Sequence, residues 1–181
     1  MARETSDNVP FPTGTDLGIE TREEVAHSLN QALADTTDLQ TQTKHAHWNV
    51  KGMQFQQLHE LFDEQAELLA DHADTIAERL TALGGTAHGT ARQAATNSQL
   101  EEFPADATDG PACVAALADR YAAHAANMRE WIDATAAVGD ADSSDMFTEL
   151  SREIDKQLWF LEAHLQGDEA ATEIEWAASE D

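Results

Sequence analysis

Two histidines, His47 and His59, stand either side of an Asn-Val-Lys-Gly break in AHWNVKGMQFQQLHELFDE (46–64), and the carboxylates of DHADTIAERL (71–80) follow closely. Imidazole and carboxylate are common nitrogen and oxygen donors for divalent metals. The pattern therefore points to a metal site. Whether one chain can close that site depends on the elements that carry the ligands.

Apolar residues recur at three and four spacings through most of the chain, the signature of amphipathic helices. A first helix is predicted over about 21–49, with Val25, Leu29 and Leu33 leading into a more polar second half, and Gly52 closes the turn after it. A second, over 54–83, carries Phe55, Leu58, Phe62, Leu69, Ile76, Leu80 and Leu83, and stops at Gly84-Gly85. The polar, broken stretch that follows has room for one short helix. A third helix begins near Asp109 with Pro111 in its first turn, keeps the heptad Val114, Leu117, Tyr121, His124, Met128 and Trp131, and ends at Gly139. A fourth, over 143–166, repeats the pattern with Phe147, Leu150, Ile154, Leu158, Leu161 and Leu165. The first and last connections are short, which makes antiparallel pairs, whereas the middle one is long enough to cross the bundle. The expected fold is all-α: a ferritin-like four-helix bundle with one long crossover carrying a short helix. Residues 1–20 read as an extended arm, 21–166 as the bundle and 167–181 as an acidic tail.

On this scaffold the ligands separate. At 1.5 Å rise per residue, His59 lies about 22 Å from Asp74 and about 28 Å from Glu78. His47 precedes the turn and His59 follows it, so both belong to one end of the helical hairpin, with Asp63 one turn beyond His59. Asp74 and Glu78, themselves spaced i, i+4, belong to the other end. Each chain carries two half-sites, and packing two second helices antiparallel about a two-fold axis would set each half against its complement.

At these residues the chain resembles the Dps proteins, or mini-ferritins. The resemblance rests on TKHAHWNVKG, FQQLHELFDE and DHADTIAERLTALGGTAHGT, together with LADRY and SREIDKQLWFLEAHL, and extends over nearly all of 21–166. It implies a hollow shell of twelve subunits with tetrahedral symmetry that oxidises Fe(II), usually with hydrogen peroxide, and stores ferric mineral. It assigns His47, His59 and Asp63 to one side of an intersubunit ferroxidase site and Asp74 and Glu78 to the other. Such donors suit both iron oxidation states, and sparse ligation leaves positions open for peroxide and a second ion. In the resemblance Trp48 accepts oxidising equivalents, although packing explains a large aromatic there equally well. Arg79 is similar to a residue that pairs with Asp155.

The resemblance also puts some of Glu60, Glu64 and Glu67 on an inner wall where ferric ions nucleate; a solvated face accounts for them as well. Asp145, Glu149 and Glu153 form an i, i+4, i+8 stripe, where relatives line three-fold pores that admit iron, and an acidic funnel concentrates Fe(II) by its field. Helix capping and the macrodipole explain Asp142 and Asp145 just as readily. The remaining histidines, His27, His45, His72, His88, His124 and His164, read as packing or surface groups.

Charge limits the partners. The chain of 181 residues carries 35 acidic against 10 basic side chains, a formal charge of −25, with only three lysines. Phosphate neutralisation needs Lys and Arg, and both termini are acidic, so direct DNA binding is not expected despite the lysine-rich arms of several Dps proteins. Acidity of this degree also suits concentrated salt, where self-repulsion is screened. No apolar run spans a bilayer and the N-terminus has no hydrophobic signal core, so a cytoplasmic location is expected. Cys113 is the single cysteine and reads as a small buried residue. Two other classes fit the sequence less well. A large-ferritin or di-iron oxygenase bundle needs carboxylates from all four helices and usually two Glu-x-x-His motifs, and only Glu24 to His27 fits once. An acidic bundle with a structural or metal-binding role and no turnover gives no reason for half-sites at opposite ends of one helix.

Overall fold

The computed structural model describes residues 5–166, so the acidic tail at 167–181 lies outside the described residues. Five helices run in the order α1 (Ile19–Asn49), α2 (Phe55–Ala82), α3 (Ala91–Asn97), α4 (Gly110–Ala137) and α5 (Ala141–Leu165). Helix α1 packs along α2, α4 along α5, and α1 joins the two hairpins by packing on α4. The fold is an all-α four-helix bundle, with α3 carried in the crossover.

The turns stop the helices for identifiable reasons. Gly52 and Gly84 adopt φ of +111° and +88°. At Gly84 a side chain would also collide with the Phe11 carbonyl oxygen. At the other starts, Asp109 and Asp140 accept from the backbone N–H of Ala112 and Ser143, at 3.0 and 3.1 Å, capping α4 and α5. The cap of α5 is therefore Asp140; Asp142 adds only first-turn charge.

The apolar faces meet in two clusters. One, toward the α1–α2 turn, includes Leu39, Leu58, Phe62, Leu117, Tyr121, Ile154 and Leu161. The other, toward the opposite end, includes Val25, Leu29, Ile76, Leu80, Met128 and Phe147. Each fully buried Leu, Ile or Phe contributes roughly 1.5–3 kcal/mol relative to an exposed one. Along each helix a polar residue falls between the clusters: Thr36 on α1, His72 on α2, His124 on α4 and Glu153 on α5. Thr36 Oγ1 and His124 Nε2 are 3.3 Å apart, and His72 Nε2 and Glu153 Oε2 2.6 Å.

The crossover is fastened to the polar half of α1. Asn30 and Gln31 donate to the carbonyls of Thr86 and Asn97, Gln42 donates to that of Glu101, and buried Asp35 accepts from Gln99 N–H at 2.8 Å. At its far end Lys51 N–H donates to Thr108 O at 2.8 Å, so the crossover returns to the α1–α2 turn. The N-terminal arm is likewise held. Val9 is fully buried, Phe11 N–H donates to Gly84 O, and Thr13 Oγ1 donates to Ala82 O.

One expected pair is corrected. Arg79 does not pair with Asp155 but with Asp140, at 2.7 and 2.9 Å, and donates to Ser143 Oγ at 2.8 Å. Arg79 closes α2 at the end where α5 begins, whereas Asp155 lies about four turns further along α5 and takes both bonds from Arg129.

Candidate metal centre

His47 lies in the last turn of α1 and His59 in the first turns of α2, and the short turn through Gly52 folds them face to face. Their rings stack with centroids 3.8 Å apart at 18°, and Phe55 extends the stack on the far side of His59 at 5.0 Å. Each imidazole Nδ1 contacts the other residue's backbone carbonyl, at 2.7 and 2.8 Å. A carbonyl oxygen only accepts, so both Nδ1 atoms carry a proton and Nε2 is the nitrogen left for a metal. Fixing a ligand's tautomer and orientation through its other nitrogen is how outer contacts prepare histidine for a metal. Asp63, one turn beyond His59, brings Oδ1 to 3.9 Å from His47 Nε2. Lys44 contacts the same oxygen and holds the Asp63 carboxyl below the ordinary range.

Helix α2 is unbroken from Phe55 to Ala82, so it holds Asp74 and Glu78 at the opposite end of the same rod. Both are exposed, and Asp74 borders a groove between α1, α2 and the crossover lined by Thr37, Gln40, Ala70 and Gly89. Among the described residues, no three or more His, Cys, Asp or Glu side chains converge within the chain to hold a metal ion. The imidazole half is assembled; the carboxylate half stands apart from it.

The other candidates take up surface positions. Trp48 is 68% exposed beside His47, and Met53 and Phe55 are also exposed at this end of the hairpin. That is a large apolar surface for one subunit to present to water. Glu60, Glu64 and Glu67 are exposed on α2, with Glu60 accepting from Gln56. Asp145 and Glu149 are exposed on α5, and Asp145 edges a shallow depression with Gly139, Ser144 and Thr148. Glu153 differs from them because it holds buried His72. Lys44 was not singled out from the sequence, although a lysine three residues before His47, in a chain with three, was the available signal.

Comparison with known proteins agrees with this fold. The ferritin-like domain profile matches residues 26–171. The DNA protection during starvation protein of Agrobacterium fabrum is 43% identical over 154 residues, covering 85% of this chain and 95% of that protein. An archaeal Dps homologue from Halobacterium salinarum superposes with a TM-score of 0.84 at 28% identity, over 92% of this chain and 93% of that one. Mycobacterium smegmatis Dps superposes with a TM-score of 0.81 at 31% identity, over 84% and 92%. With its bundle, crossover and paired histidines, the chain belongs to the Dps family of ferritin-like proteins, a family of iron storage and protection against oxidative damage.

Proposed function

We propose that this chain is a ferroxidase that assembles into a hollow dodecamer, oxidises Fe(II) between subunits, preferably with hydrogen peroxide, and stores the ferric product inside. The observation that carries this reading is the reciprocal lock between His47 and His59. It prepares two Nε2 lone pairs beside Asp63 at one end of α2, while Asp74 and Glu78 wait at the other. A neighbour related by a two-fold axis supplies the missing half of each site.

Two Fe(II) ions each give up one electron, and the pair of electrons reduces one hydrogen peroxide to two hydroxides. Consuming both Fe(II) and peroxide removes the reactants of radical chemistry together. Exposed Asp145 and Glu149 draw Fe(II) inward by their field, and Glu60, Glu64 and Glu67 offer oxygen ligands for the first ferric ions. Trp48, next to His47, accepts stray oxidising equivalents. The protein acts in the cytoplasm and does not bind DNA directly, since an acidic surface repels phosphate; none of its described helices is long and apolar enough to cross a membrane.

The test is anaerobic addition of Fe(II) to the assembled protein, followed by peroxide or by air, with ferric absorbance read in the near ultraviolet. Peroxide should oxidise the iron faster than air and with two Fe(II) consumed per peroxide. A rate equal to that of buffer, or of a His47→Ala, His59→Ala variant, would leave an acidic bundle without turnover. Retarded DNA mobility at low salt would overturn the exclusion of DNA.

A further inference from the structure

Lys44 is a cation standing on a ligand. It is one of three lysines in a chain of formal charge −25, and it projects from α1 toward α2 to contact Asp63 Oδ1. That oxygen is the one 3.9 Å from His47 Nε2. The ammonium therefore occupies the carboxylate atom that a metal ion bound to the imidazole would also use. The lysine side chain is 29% exposed and Asp63 40%, so the pair lies at the protein surface with a route to solvent.

We propose that Lys44 is a built-in counter-cation of this half-site, a specificity-determining residue that any metal ion taking Asp63 must displace. The inference rests on the ferroxidase reading of His47, His59 and Asp63. Two cations cannot share one carboxylate oxygen without strong repulsion, so every incoming ion meets the same opposing charge. What offsets it differs between ions. Mg(II) favours oxygen and water ligands, so the carboxylates of the site are all that attracts it. An Fe(II) ion on Asp63 also gains the prepared imidazole of His47. The lysine thus sorts ions by their affinity for nitrogen, on a surface so acidic that Mg(II) and monovalent cations gather on carboxylates everywhere. Displacement needs no proton transfer: the four-carbon stem is flexible, and the ammonium swings toward water with its charge intact.

Anaerobic titration of the assembled protein with Co(II), which has visible absorption and resists oxidation, tests this with and without competing Mg(II). Lys44→Met should bind Co(II) at least about threefold more tightly and should lose more of that binding to Mg(II) than the parent protein does. Lys44→Arg should stay close to the parent, and Lys44→Gln carries the same expectation as Lys44→Met should the latter fail to assemble. Lys51→Met is the control, because Lys51 reaches Asn49 O rather than Asp63 and removes the same charge from the same end of the hairpin. Unchanged Co(II) affinity in Lys44→Met and Lys44→Gln overturns the proposal, as does an equal gain in Lys51→Met, which would make the effect one of net charge. If the parent gives no Co(II) absorption that His47→Ala removes, the metal site itself fails and this inference with it. That outcome is distinct from intact Co(II) binding indifferent to Lys44.

Discussion

His47 and His59 fix one another: the Nδ1–H of each donates to the backbone carbonyl of the other, at 2.7 and 2.8 Å, across the α1–α2 turn. Removing either ring takes away a ligand and also the stacked face against which the other ring packs, leaving that ring only its backbone carbonyl as a guide. Single substitutions should be strongly non-additive. His47→Ala alone is expected to lose nearly as much Co(II) affinity as His47→Ala with His59→Ala. Titration of both variants checks this, and two equal losses that sum to the double would mean the rings act independently.

Acid should weaken the bundle through His124. This ring is fully buried with no partner at Nδ1, and burial, assisted by nearby His72, pulls its pKa down to about 3 from 6.5. The unfolded chain then binds a proton that the folded chain refuses. The stability contributed is complete above about pH 6.5 and declines as pH falls toward 3, by up to about 1.4 kcal/mol per pH unit. His124→Leu should flatten the fall in melting temperature between pH 6.5 and 4. An unchanged slope would assign acid sensitivity to other groups.

The bundle was legible because its apolar periodicity is strong: Leu58, Phe62, Leu69, Ile76 and Leu80 all lie in the core, as do Val114, Leu117, Tyr121, His124 and Met128. Phe55 continues the same pattern yet is 43% exposed, since periodicity marks a face without saying whether the chain's own residues cover it. The polar half of α1 had a reason that spacing alone did not reveal. Gln31, Asp35 and Gln42 hold the crossover, a role visible only once residues about 60 positions away are brought alongside. Arg79 differs for a related cause: resemblance points to Asp155, while the end of the bundle at which α5 starts makes Asp140 the nearer carboxylate. Lys44 is not legible in the sequence because a single lysine has no periodicity, and its meaning comes from the ligand it touches.

The α5 stripe should govern how fast iron arrives. Asp145 and Glu149 are exposed, whereas Glu153 is engaged by His72, so the first two carry most of the free field. Asp145→Asn with Glu149→Gln should slow Fe(II) uptake into the assembled shell several-fold at low ionic strength, with equilibrium Co(II) binding at the histidines unchanged. The difference should fade as salt shortens the screening length to about 3 Å near 1 M. Equal uptake rates at low salt would remove the steering role. The same salt series followed by light scattering should show the acidic shell loosening as salt is withdrawn.

The strongest test exploits the length of α2, which keeps Asp74 and Glu78 away from His47 and His59 of their own chain. One variant, His47→Ala with His59→Ala, keeps only the carboxylate half; another, Asp74→Ala with Glu78→Ala, keeps only the imidazole half. Each alone should assemble with every site damaged. In a mixed two-fold dimer one site combines the two damaged halves, but the other joins intact histidines from one chain to intact carboxylates from its neighbour. Peroxide-driven Fe(II) oxidation should then reappear when the variants are dissociated and reassembled together, approaching one working site in each mixed dimer. Mass spectrometry establishes whether mixed shells form. If they do, and oxidation remains at the level of the separate variants, the ligands do not meet across an interface, and the separation along α2 gives no reason for a shared site.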